Sequence, residues 1–102
     1  MIETEIEFMF TDKGVYCIAR NNRSPVGSAF LMFYGTKQAE IVGLMVLEQY
    51  RKQGVGSTIV NRILWLKEEL DLEEISMTTN SEIVKKIAKK FNFVPWTKWV
   101  SR

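Results

Sequence analysis

From Ile2 to Phe10 the chain alternates, with Ile2, Thr4, Ile6, Phe8 and Phe10 on one side and Glu3, Glu5 and Glu7 on the other. A period of two is that of a half-buried strand. Residues 11–14 (TDKG) then predict a turn, 15–20 (VYCIAR) a second strand, 21–25 (NNRSP) another turn, and 26–34 (VGSAFLMFY) a third strand. After GTKQ, residues 39–47 (AEIVGLMVL) are apolar at nearly every position, which predicts a central fourth strand covered on both faces. Turns this short make the four strands an antiparallel meander.

From Ser57 the period changes. Ile59, Ile63, Leu66 and Leu70, with Val60 and Trp65 beside them, form one stripe of a helix that carries Asn61, Arg62, Lys67 and Glu68 elsewhere. Residues 75–79 (ISMTT) predict a short fifth strand. A second amphipathic helix follows, with Ile83, Val84, Ile87, Ala88 and Phe91 opposite Lys85, Lys86, Lys89 and Lys90. The tail FVPWTKWV resumes strand character, with Pro95 marking an edge or an irregular start. The pattern predicts an α+β fold, a mixed, mainly antiparallel sheet of about six strands with two helices, residues 1–102 forming one domain.

Composition narrows the chemistry. The 102 residues, 46% of them hydrophobic, suffice for one core. A single cysteine, Cys17, and no histidine remove the commonest metal ligands and the commonest general base, so no metal is expected. Cys17 itself, between Tyr16 and Ile18, reads as a buried strand residue, since no basic neighbour is evident to activate its thiol. A formal charge of +2, with both signs interspersed, does not point to nucleic acid. The apolar runs are too short to span a bilayer and the first residues lack a secretory pattern, so a soluble, cytoplasmic protein is expected.

The stretch EQYRKQGVGS, residues 48–57, joins the fourth strand to the first helix. A glycine loop that opens a helix is suited to an anion, because the first helical turn presents unpaired N–H groups at the positive end of the dipole. Gly54 and Gly56 let the backbone approach, Arg51 and Lys52 add charge, and Ser57 adds a hydroxyl and a helix cap. The stretch lacks the P-loop pattern and the third glycine of a dinucleotide fingerprint.

The segment VLEQYRKQGVGSTIVNRIL resembles the motif of the GNAT superfamily, the acyl-CoA-dependent N-acetyltransferases, with Arg51, Gly54 and Gly56 at the positions of [QR]-x-x-G-x-[GA]. The resemblance runs well over residues 39–93. It implies a GNAT-like fold and acetyl-CoA as co-substrate, its pyrophosphate bound by backbone N–H groups from Gln53 through Val55 and Gly56 to Ser57, with Arg51, Lys52 and Asn80 adding to the site. It also implies that the strand at Met45, Val46 and Leu47 pairs with the pantetheine arm.

Two departures stand out against the resemblance. Family members usually carry two helices between their first and second strands, where this chain has only residues 11–14. Many place an acidic tyrosine on the last helix, where this chain has Ala88 or Ile87, depending on the alignment. Glu40 is the candidate base, by similarity to the lysine-acetylating histone acetyltransferase branch, in which a glutamate opens the fourth strand and no helix tyrosine is used. The reading is transfer of acetyl to a primary amine, with a protein lysine as acceptor and a homodimer as one option for the aromatic tail of Trp96 and Trp99. Two rivals remain: a module that binds acyl-CoA or a protein without chemistry, and a nucleic-acid binder.

Overall fold

The computed structural model describes residues 3–79, 81–95 and 99–101. Strands β1 (Glu5–Phe10), β2 (Gly14–Asn21), β3 (Ser24–Tyr34) and β4 (Gln38–Val46) form the expected meander. A single 3-10 turn (Glu48–Tyr50) leads to helix α1 (Val55–Glu69), then come β5 (Glu74–Met77), helix α2 (Glu82–Lys90) and the short strands β6 (Val94–Pro95) and β7 (Trp99–Ser101). The seven strands are ordered β1-β2-β3-β4-β5-β7-β6. Every pairing is antiparallel except β4 with β5, which α1 connects as a crossover.

Alternation decides which face holds the core. Val15, Cys17 and Ala19 of β2, Ala29 and Leu31 of β3, and Ala39 and Ile41 of β4 are all buried. Against them pack Val55, Ile59, Val60, Ile63 and Leu66 of α1 and Ala88 of α2. Both helices thus share one face of the sheet. Residue 65 departs from the expected stripe: Trp65 is 48% exposed, its indole beneath the guanidinium of Arg62 at 5.2 Å. Phe10, assigned to the buried side of β1, is exposed, its ring 6.4 Å from that of Phe8.

β4 is central but not covered on both faces. Ala39 and Ile41 point to the helices, then Gly43 adopts φ +64° and the register with β3 shifts, so that Leu44 and Val46 point to the helices in turn. This is a bulge of the kind a left-handed glycine makes. It moves the alternation by one residue, and a one-faced strand then reads as a continuous apolar run. Val42 and Met45 lie on the other face, where Met45 is exposed.

The turn at residues 11–14 is closed by Thr11 N–H donating to the Gly14 carbonyl at 2.8 Å, so β1 and β2 meet directly with no helix between them. At the opposite end, Lys37 Nζ lies 2.7 Å from Asp71 Oδ2, and the Lys37 carbonyl accepts from Glu73 N–H at 2.7 Å. The β3–β4 turn is thereby tied to the approach to β5.

Candidate active site

The bulge also opens the site. Pairing of β4 with β5 runs from Gln38 with Glu74 to Ile41 with Met77 and goes no further. Beyond it the strands part around a cleft of about 310 Å3, walled by Ile41, Gly43 and Leu44 on one side and Met77, Thr78 and Thr79 on the other. Through Leu44 and Val84 this cleft continues into a groove of about 500 Å3 that reaches the start of α1.

At that end the backbone is shaped by two glycines. Gly54 is the N-cap of α1 with φ +82°, a conformation costly for a residue with a Cβ. A Cβ on Gly56 would stand 2.9 Å from Ile87 Cδ1, so α2 comes this close because residue 56 has no side chain. The N–H groups of Val55, Gly56 and Ser57 lie in the first helical turn and have no carbonyl one turn earlier to bond. Ser57 is not the cap expected of it. It sits within the first turn, and the neighbouring hydroxyl of Thr58 is the one that bonds there, donating to the Gly54 carbonyl at 2.9 Å.

Of the residues singled out in the sequence, Met45, Val46, Arg51, Lys52, Gly54, Val55, Gly56 and Ser57 all line the groove. Leu47 does not; its N–H donates to the Val26 carbonyl at 2.9 Å, on the β3 side. Gln53 turns back instead to donate to the Gln49 carbonyl. Asn80 and Trp96 lie outside the described residues. Arg51 Nε donates to the Val46 carbonyl at 3.2 Å, which braces the loop against β4 while the side chain stays exposed. Lys52 has φ +64°, so the loop spends strain on its own curvature.

The opposite wall is α2. Its N-cap Ser81 accepts from Val84 N–H at 3.3 Å. Ile83, Val84 and Ile87 turn toward the groove and only Ala88 is fully buried, so Ile83 is 58% exposed where the helical stripe predicts cover. Lys86 adds a cation to this wall. The arrangement suits a ligand with an anionic end at the α1 terminus and a less polar arm lying between β4 and α2.

Glu40 stands elsewhere. It is one residue before the last β4–β5 pair, half-buried, on the face turned away from the helices. Tyr34 Oη donates to Glu40 Oε1 at 3.1 Å. Partial desolvation first, and then this hydrogen bond and the carboxylate charge, raise the tyrosine pKa and keep it a donor. Tyr34 went unnoticed in the sequence, yet the register Tyr34 with Gln38 across the hairpin would have placed it diagonal to Glu40. Cys17 is fully buried, and that burial pushes its thiol up to about 11, with Arg62 pulling the other way. A thiol so placed is not a nucleophile.

An uncharacterized N-acetyltransferase of Chlorobaculum tepidum is 28% identical over 91 residues, 88% of this chain and 59% of the relative, so the chain spans little more than half the length of that curated protein. The structure of Ard1 from Thermoplasma volcanium is 26% identical with a TM-score of 0.71, covering 78% of this chain and 55% of that one. A GNAT family acetyltransferase from Elizabethkingia anophelis, solved with acetyl-CoA bound, is 16% identical and shares the fold at a TM-score of 0.78, over 89% of this chain and 76% of that one. The Acetyltransferase (GNAT) family profile matches residues 1–93, reaching from β1 past the end of α2, and the chain belongs to that family.

Proposed function

We propose that the protein transfers an acetyl group from acetyl-CoA to a primary amine, a lysine side chain of a protein. One observation carries the reading: β4 and β5 part at Gly43 beside a helix whose first amides face the far end of the same opening. A fold neighbour from Elizabethkingia anophelis holds acetyl-CoA, which supports the same co-substrate here. When bound, acetyl-CoA would supply the activated thioester. The amides of Val55, Gly56 and Ser57 would hold its diphosphate, with Gln53 and Gly54 shaping the loop and Arg51, Lys52 and Lys86 adding charge. Met45 and Val46 would wall the arm, and beyond Ile41, where β4 keeps its β3 pairing but no longer pairs with β5, N–H groups on the parted edge would offer donors to the reacting carbonyl.

Glu40 would take the proton from the incoming ammonium, and Tyr34 would hold its carboxylate in place. A lysine acceptor follows from the absence of helices between β1 and β2, which leaves the approach to Glu40 open to a polypeptide. We place the protein in the cytoplasm on the same reading; no helix among the described residues is long and apolar enough to cross a membrane.

The test is incubation with labelled acetyl-CoA and a peptide pool. Acetyllysine should form, and Glu40→Gln should abolish it while acetyl-CoA binding persists. Binding with no transfer to any amine would instead mark a module that keeps the groove and lacks the chemistry.

A further inference from the structure

The face of the sheet turned away from the helices carries its own pattern. Across β1 to β4 the register aligns Met9, Tyr16, Phe30 and Val42 in one row, ending beside the point where β4 and β5 part. Met9 is exposed, Tyr16 is 49% exposed, and its ring lies 4.5 Å from that of Phe30. Phe30 and Val42 are half-buried, so the row presents Met9 and Tyr16 most openly, and clustered exposed apolar side chains of this kind suit a contact surface. Acidic residues lie on either side of the row, Glu5 and Glu7 of β1 on one side, and Glu40 of β4 and Glu74 of β5 on the other, among neutral positions such as Ile18, Ser28 and Met32. The described strand positions of this face supply one cation against them, Arg20, held by Glu7 at 3.2 Å.

The groove side of the molecule is charged the other way. α2 alone carries Lys85, Lys86, Lys89 and Lys90 against Glu82, and Arg51 and Lys52 line the groove. α1 is mixed, with Arg62 and Lys67 against Glu68 and Glu69, so the cationic excess sits on α2 and at the groove, where an anionic ligand would sit, and the open face carries an excess of carboxylates. Such a separation steers an anion and a cation to opposite faces of one opening.

We infer that the open face is the docking surface for the acceptor, a basic, extended polypeptide segment that crosses the strands with apolar residues over the Tyr16–Phe30 row, delivers its lysine to Glu40 and sets a second cation against Glu5. This rests on the acetyltransferase reading above. The geometry also sets a spacing. Three interstrand steps separate β1 from β4, roughly 14 Å. Glu40 lies one position beyond the row of Phe10, Val15, Leu31 and Ile41, roughly 20 Å along the strands from Glu5. The two carboxylates thus stand about 25 Å apart, the reach of about seven extended residues. The acceptor lysine and the second basic residue should therefore stand about seven residues apart, with Leu or Phe between them.

The experiment uses the full chain with two synthetic peptides, each holding one lysine and an apolar spacer, one with Arg and one with Glu about seven residues from the lysine. Steady-state acetylation and fluorescence anisotropy of the labelled peptides in the presence of CoA are both read. The Arg peptide should bind more tightly and show the lower KM. Glu5→Lys should raise its KM about threefold at low salt and reverse the preference between the two peptides. Tyr16→Ser should raise it about tenfold, with KM for acetyl-CoA unchanged in both variants.

Equal use of both peptides, or KM values indifferent to Glu5→Lys and Tyr16→Ser, would overturn the proposal. So would a wild-type dimer in sedimentation velocity that Tyr16→Ser dissociates with acceptor KM unmoved, since the face would then join two copies of the chain. If no amine is acetylated but anisotropy still discriminates the peptides and responds to Glu5→Lys, the surface stands and the enzymatic reading fails.

Discussion

At the scale of single residues, three positions carry most of the account. Gly43 adopts φ +64° with open space where a Cβ would go, so Gly43→Ala pays for backbone strain and not for a clash. It should cost about 1–2 kcal/mol in chemical denaturation and weaken acetyl-CoA binding, because the bulge that parts the strands is biased against. Tyr34→Phe removes the donor to Glu40; kcat should fall while KM for acetyl-CoA stays constant, and an unchanged kcat would take Tyr34 out of the site. Gly56 differs from both. A larger side chain there meets Ile87 and would push α2 across the groove. Neither the Gly43 bulge nor the Tyr34–Glu40 pair was legible in the sequence. The bulge hid inside an apolar run because it restores the inward direction one residue late, and the pair depends on a hairpin register that residue types alone do not announce.

At the scale of elements, periodicity was a good guide to existence and a poorer one to cover. The four strands of the meander, both helices and β5 all stand where alternation and the helical stripe place them, since burial against one shared core enforces both periods. Trp65 and Ile83 broke the pattern for opposite reasons. Trp65 lies at the edge of α1 under Arg62, and Ile83 faces the groove on α2. Ile63 is fully buried in the middle of α1, and Ile63→Ala should destabilise the fold by about 2–5 kcal/mol without altering the loop at Gly54. The tie between the β3–β4 turn and β5 is electrostatic. Lys37, through a hydrogen bond first and its charge second, holds the Asp71 pKa below the ordinary aspartate value, and Asp71 in turn raises that of Lys37. The depressed carboxylate contributes stability present above its unfolded pKa and lost as pH falls through the folded one; the raised ammonium contributes stability present below its unfolded pKa and lost as pH rises through the folded one. Melting temperature should therefore decline less steeply in acid for Asp71→Asn than for the parent, by a small margin because both groups are exposed.

For the whole molecule, the two faces of the sheet differ in cover and in charge. Helices cover one face and bring cations and helix-terminal amides to the groove; the other face stays open, acidic and aromatic. Among the described residues no helix packs on that second face. The claim on which the rest depends is that main-chain amides at the start of α1 hold a diphosphate. Amide chemical shifts followed while CoA is added test it most directly. The account predicts the largest movements at Gly54, Val55, Gly56 and Ser57, with smaller ones at Met45 and Val46. Saturable binding that leaves those four amides in place and moves signals elsewhere would contradict it.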